Sequence, residues 1–194
     1  MDFLIPSWDE IYTMCIELAD QIKTSRFKPD LIVAVARGGW VPGRIMSDLL
    51  GNSSVASMRV EFYKDVAETN KKPIISQGVS APVAGKRILV VDDVADTGES
   101  LRTVKEYLTN LRVNEIKIAT LHYKPKSVLK PDFFVGKTDA WIVYPHERHE
   151  FVKTMTKRLR KEGMSLEQVK KEMGSIGLDR RVTDRFVEET WDSS

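Results

Sequence analysis

The chain has 194 residues, 42% hydrophobic and 30% charged, with a formal net charge of +2. Those values describe one globular domain of ordinary size, or one with an appendage, and exclude a disordered chain. A charge so close to balance gives no reason to expect a nucleic acid or a membrane surface as partner. No apolar run approaches the roughly 18 residues that span a bilayer, and "MDFLIPSWDE" carries an acid where a signal peptide needs a basic segment. A cytoplasmic location is the expectation.

Ser7-Trp8-Asp9-Glu10 matches a capping box. Behind it Ile11, Met14, Cys15, Leu18, Ala19 and Ile22 keep a helical period to about Lys23. Cys15 is the single cysteine, which excludes an internal disulfide and a cysteine zinc cluster; its place on the apolar face gives it a packing role. "DLIVAVARGG" is a short apolar run ending in glycines, as in a parallel strand buried on both faces. "VPGRIMSDLLG" reads as a helix with Pro42 in its first turn and Gly51 past its end. "VASMRVEFY" reads as a strand. Residues 64–85 contain proline and glycine and little periodicity, and are expected to form a long functional connection. "KRILVVDD" is strand, "TGESLRTVKEYLTNL" helix and "EIKIATLHY" strand, followed by the short strands "PDFFVG" and "AWIVYP". The alternation predicts an α/β fold with a central, mostly parallel sheet flanked by helices, in which ligands bind beyond the carboxyl ends of the strands.

The stretch "ILVVDDVADTGES" carries the chemistry. Four aliphatic residues run into Asp92, Asp93 and Asp96, then into Thr97-Gly98-Glu99-Ser100. Desolvated carboxylates are costly unless a cation or a hydrogen-bond donor meets them, so the cluster asks for a ligand. A strand-to-helix turn aims backbone N–H groups at its occupant, and small hydroxyl-bearing residues there make a phosphate cradle. Asp92 and Asp93, just before it, suit the vicinal hydroxyls of a ribose or a hydrated Mg²⁺. A phosphate cradle beside such acids describes a ribose 5-phosphate site.

The pattern resembles the phosphoribosylpyrophosphate (PRPP) motif of the type I phosphoribosyltransferase family. The segments "PSWDEIYTMCIELADQI", "PDLIVAVARGGWVPGRIMSDLLG", "EFYKD", "ATLHYKP" and "AWIVYPHE" are similar, in order and spacing, to the purine branch of xanthine-guanine and archaeal hypoxanthine/guanine enzymes. The resemblance covers about residues 4–147. It implies a core and small hood over 1–147, with hood parts near 1–10 and 124–147, and leaves 148–194 as a C-terminal extension.

On matching positions the resemblance implies ribose binding by Asp92 and Asp93, with Asp93 also favoured for Mg²⁺ as cofactor. It implies Asp96 as general base near purine N7, and Ala95, Asp96, Thr97, Gly98, Glu99 and Ser100 around the 5′-phosphate. Arg37 and Gly38, with Gly39, match the pyrophosphate loop, where family members carry a cis non-proline peptide, here Ala36–Arg37. Lys124 matches the lysine that donates to the exocyclic oxygen of 6-oxopurines. Trp141 and Ile142 match the segment that flanks the base, and Glu147 is taken with it. The 64–80 segment, with Tyr63, Lys64, Lys71 and Lys72 near it, is expected to close over the site and exclude water. A donor lysine suits hypoxanthine or guanine over adenine. Against that stand His146, where the family usually has Trp, and the extension, which some archaeal adenine-using relatives also carry. His122 and His149 are expected to be structural.

The extension reads as helical, with a second capping box at Ser165-Leu166-Glu167-Gln168 and helical spacing at Val182, Phe186 and Val187. "KRLRK" reads as a solvated face. Packing over the base pocket or against a second subunit is the expected burial for Phe151, Phe186 and Trp191. The reading that follows is a purine salvage enzyme converting PRPP and a base to nucleotide and pyrophosphate, as a homodimer or homotetramer. An adenine enzyme, a PRPP-sensing regulator and a pyrimidine or orotate enzyme are the alternatives. A regulator needs a DNA-reading element, and the charge balance of the tail argues against one.

Overall fold

The computed structural model describes residues 2–63 and 72–193. The chain divides into a larger unit, 9–139, and a smaller one made of 1–8 and 140–194.

The larger unit is a six-stranded sheet. Its strands are β2 (Leu31–Ala36), β3 (Val55–Tyr63), β4 (Lys72–Gln77), β5 (Arg87–Ala95), β6 (Glu115–Tyr123) and β7 (Phe133–Lys137), in the order β4-β3-β2-β5-β6-β7. Every pairing is parallel except β3 with β4. The central strands β2 and β5 are continuous aliphatic runs because both faces are covered: all six residues of β2 are buried, and Ile88, Leu89, Val90 and Val91 are fully so. Each such side chain contributes about 1.5–3 kcal/mol relative to exposure.

Helices α2 (Trp40–Leu49) and α3 (Glu99–Asn110) cover opposite faces. Val33 and Val35 of β2 pack with Leu101, Val104 and Leu108 of α3. The intervening Ala34 meets α2 so closely that a Cβ on Gly43 would lie 2.8 Å from the Ala34 Cβ. Helix α1 (Trp8–Thr24) buries Ile11, Cys15, Leu18, Ala19 and Ile22, as its period requires, and Gln21 Nε2 donates to the Phe134 carbonyl of β7 at 3.0 Å. Burial pushes the Cys15 thiol up to about 12, so it packs as an inert apolar group.

The register of β5 against β2 places the site. The Asp30 carboxylate accepts from Arg87 Nε at 3.1 Å, Arg87 Nη2 at 2.7 Å and the Arg87 amide at 2.8 Å. The Arg87 fork holds that carboxyl down at about 2. From this anchor Ala34 falls opposite Val91, so both strands deliver their following loops to the same edge. After β2 the chain moves outward to β3, and after β5 to β6 on the other side. The crevice between the ends of β2 and β5 is therefore the topological switch point of the sheet.

One sequence expectation is corrected here. Within the 64–85 connection, Lys72–Gln77 is a strand, paired antiparallel with β3 through Val60–Ile75 and Glu61–Ile74. It is an edge strand, which tolerates Pro73 and the polar ends that hid it. Ile75 packs on the core and Ile74 faces out.

The smaller unit pairs β1 (Phe3–Leu4) with β8 (Trp141–Ile142) in parallel and adds α4 (Arg148–Lys161), α5 (Leu166–Ser175) and α6 (Arg180–Asp192). Ser165 and Gln168 form the expected capping box. The tail aromatics find burial within this unit. The unit has its own core of Val143, Phe151, Val152, Leu159, Val169, Met173, Leu178 and Val187, and Phe3, Phe186 and Trp191 pack against it. Arg160 likewise departs from a purely solvated reading, because it lies over the Trp191 ring at 4.6 Å and donates to the Trp191 carbonyl at 2.7 Å. Among the described residues no helix is long and apolar enough to cross a membrane.

Candidate active site

Strand β5 continues through the acids and ends at Ala95. The chain then turns over Asp96 and Thr97 into Gly98, whose φ of +77° lets the backbone reverse into α3. Gly98 offers no side-chain cap. Thr97 Oγ1 accepts from the Glu99 amide at 3.4 Å; the first turn of α3 otherwise gets no cap from its N-cap residue, and the helix dipole there favours an anion. Arg102 N bonds back to the Gly98 carbonyl at 2.9 Å and secures the first turn.

A brace missed in the sequence reading supports this turn from outside. Residues 124–129 run alongside it, with Lys124 N donating to the Ala95 carbonyl at 3.0 Å and Val128 N to the Thr97 carbonyl at 2.8 Å. Ser127 Oγ donates to the Leu129 carbonyl at 2.7 Å. A Cβ on Gly98 would collide with Ser127 Oγ and lie 2.7 Å from Leu129 N. No local pattern signals this contact, because the partners are about thirty residues apart in the chain.

On the opposite side of the crevice β2 ends at Ala36, and the Ala36–Arg37 peptide is cis, as the resemblance implied. Arg37 is exposed. Gly39 opens α2 and its amide donates to the Val35 carbonyl at 2.8 Å. A Cβ on Gly39 would strike the Val91 carbonyl and sit 2.7 Å from the Val35 carbonyl oxygen. A Cβ on Gly38 would fall on the carboxylate of Asp93. The structure therefore brings Arg37 and Gly38 to Asp93, joining the glycine loop to the acids.

The three acids differ in setting. Asp93 is buried, at 5% exposure, and its amide donates to Asp92 Oδ1 at 3.0 Å. Behind it lies buried His122, which burial pushes down to about 4 against the opposing pull of the Asp93 charge. The ring rests close over Gly136, where a Cβ would lie 2.5 Å from its Cδ2. His122 is a neutral packing group, as expected. Asp96 is half-exposed and meets two ammonium groups: Lys124 Nζ at 3.1 Å from Oδ2 and Lys126 Nζ at 3.0 Å from Oδ1. Burial raises its carboxyl, but the hydrogen bonds and charges of Lys126 and Lys124 outweigh that and hold it below its ordinary value. Lys124 itself is 7% exposed.

The remaining predicted residues lie in the smaller unit. Trp141 is exposed and Ile142 buried in β8, and both line a cavity of about 190 Å³ with Val143, Glu147, Glu150 and Phe151. His146 stacks on Tyr144, with ring centroids 5.2 Å apart. His149 packs edge-on against Phe186. Lys64 and Lys71 lie outside the described residues.

A mostly parallel sheet whose switch point is flanked by an acidic strand-to-helix turn and a glycine loop defines an α/β protein with a geometry suited to a phosphorylated ligand. The chain belongs to the phosphoribosyl transferase domain family, whose model matches residues 7–147. It is 34% identical over 146 residues to the xanthine-guanine phosphoribosyltransferase of Idiomarina loihiensis, covering 74% of this chain and 86% of that one. It is 28% identical to the hypoxanthine-guanine phosphoribosyltransferase of Saccharomyces cerevisiae, covering 75% and 86%. The crystal structure of a purine phosphoribosyltransferase from Pyrococcus horikoshii superposes with a TM-score of 0.68 at 36% identity, covering 75% and 94%.

Proposed function

We propose that this protein is a purine phosphoribosyltransferase of salvage metabolism, converting PRPP and a purine base to the nucleoside 5′-monophosphate and pyrophosphate. The observation that carries the reading is the meeting of Gly38 and Asp93 across the crevice, beside a helix N-terminus whose N-cap, Gly98, has no side chain to cap it. The relatives are named for xanthine-guanine and hypoxanthine-guanine transfer, which supports a purine over a pyrimidine or orotate.

The amides and hydroxyls of Ala95 to Ser100 hold the 5′-phosphate, and Asp92 and Asp93 hold the ribose diol. Arg37 and the Gly38 backbone take the pyrophosphate. N9 of the base bonds to C1′ as the C1′–oxygen bond to pyrophosphate breaks, and the proton released from the base passes to Asp96. The half-formed sugar cation is stabilised by the nearby carboxylates, and the leaving anion by Arg37. Asp92 and Asp93 would supply the hard oxygen donors that Mg²⁺ prefers, with the Asp93 carboxylate packed directly against the Gly38 backbone. Mg²⁺ bound there supplies neutralisation of pyrophosphate charge.

Lys124 donates to the 6-oxo group, which favours hypoxanthine, guanine or xanthine; Trp141, Ile142 and Glu147 keep the base-flanking role that the family resemblance assigns them. A cytoplasmic homodimer or homotetramer belongs to the same proposal. The test is an assay of PRPP and Mg²⁺ with adenine, hypoxanthine, guanine and xanthine in parallel. A site that pairs a buried donor with a carbonyl should prefer a 6-oxopurine over adenine by up to about 10⁴-fold in kcat/KM. Consumption of adenine alone would remove Lys124 from that role and favour the adenine alternative.

A further inference from the structure

Lys126 follows Lys124 by two residues in the brace around the phosphate turn. The two lysines divide one carboxylate between them, Lys124 on Oδ2 and Lys126 on Oδ1 of Asp96. Their settings are opposite. The Lys124 side chain is 9% exposed and reaches Asp96 from within the protein, whereas that of Lys126 is 60% exposed and reaches it from solvent.

Among the described residues these two ammonium groups are the cations acting on Asp96. On its own strand the charged groups nearest in the chain are Asp92 and Asp93. From α3, Glu99 is engaged by Arg102. The ionised state of Asp96 is therefore set locally by two lysines, only one of which has a role in reading the base.

We propose that Lys126 is a positioning residue for phosphoribosyl transfer: it is the second counter-ion of Asp96, keeping that carboxylate ionised and oriented when Lys124 turns to the carbonyl of the base. The inference rests on the general-base reading of Asp96. With Lys124 as its only cation, Asp96 would lose its partner as the base bound, and the base would have to compete with a carboxylate for a buried ammonium group. A second cation on the other oxygen makes that handover cheaper. Proton transfer completes the exchange: the lone pair of N9 forms the N9–C1′ bond, the N7–H proton moves to Asp96 while its bonding pair stays with the imidazole ring, and the C1′–oxygen electrons leave with pyrophosphate. Neutral Asp96 then releases both lysines, and neither is stranded. Lys124 is buried but has the carbonyl oxygen, and Lys126 is exposed and returns to water at little cost.

The experiment compares Lys126→Met, Lys126→Arg and Asp96→Asn with wild type, measuring kcat and KM for base and for PRPP across pH, with thermal melts of each variant. Removing a nearby cation raises a carboxyl pKa, so activity should be lost earlier on acidification. In Lys126→Met the acidic limb of kcat/KM for the base is expected to move up by about half a pH unit, the scale of one exposed ion pair. KM for the base should rise roughly two- to fivefold by the same measure, with KM for PRPP unchanged. Lys126→Arg should restore both. An acidic limb that stays in place in a folded Lys126→Met protein overturns the proposal, as does failure of arginine to rescue. If Lys126→Met does not fold, Lys126→Gln carries the same comparison. The two readings fail separately. An inactive Asp96→Asn with an unmoved limb in Lys126→Met removes only Lys126, whereas an active Asp96→Asn removes the general-base role itself.

Discussion

Asp96→Asn is expected to lower kcat by about 10²–10⁴-fold, the range over which a positioned general base contributes. Binding of PRPP should change little, because the proposed holds on the 5′-phosphate and the diol are the amides of the turn and the carboxylates of Asp92 and Asp93. The fold should survive, since Asp96 is half-exposed and its lysine partners are not part of the sheet core. The effect should therefore appear in kcat and in kcat/KM together, the signature of a contact made chiefly in the transition state. Asparagine keeps the shape and loses the proton acceptor. A variant with wild-type turnover would exclude Asp96 from proton transfer, whatever its place in the motif.

The second large effect concerns the glycine loop. Gly39 has ordinary helical dihedrals, φ −70° and ψ −10°, so alanine meets no backbone strain there. Its obstacle is steric, and the obstructing atoms are main-chain: the Val91 carbonyl of β5 and the Val35 carbonyl and amide of β2. Neither strand can yield without disturbing the centre of the sheet. Overpacking of this kind costs about 1–3 kcal/mol or more, which lowers Tm by roughly 3–10 °C in a protein of this size. PRPP affinity should fall as well, because the loop that carries Arg37 is displaced from Asp93. Gly51→Ala is the control. Gly51 has φ +62° but open space around a Cβ, so it incurs only local backbone strain, about 1 kcal/mol, and leaves the site alone. Differential scanning calorimetry and PRPP titration on both variants separate the two causes. A Gly39→Ala protein that melts with Gly51→Ala and binds PRPP normally would contradict the close approach of α2 to β5.

The centre of the sheet was legible because its strands report their own environment. "LIVAV" and "ILVV" are unbroken aliphatic runs, and only strands covered on both faces require that. The turn from β5 into α3 was legible for a related reason, since three acids and Gly98 directly follow such a run and the chain reverses there. Strand β4 was not legible: Lys72-Pro73 and Ser76-Gln77 bracket just two apolar residues, and an edge strand needs no more. The tail helices could be read from their caps, but not the destination of Phe151, Phe186 and Trp191, because periodicity shows that a face is buried and not what buries it. Lys126 and Ser127 were invisible for a third reason. Their partners Asp96 and Gly98 lie about thirty residues away, and only the parallel pairing of β5 with β6 brings the two segments side by side.

A crystal structure of the complex with a purine nucleoside 5′-monophosphate tests the central claim most directly. The account predicts the phosphoryl group within hydrogen-bonding distance of the backbone amides at 96–100, and the ribose hydroxyls on Asp92 and Asp93. A nucleotide bound with its phosphate away from the N-terminus of α3, leaving those amides to water, would contradict it.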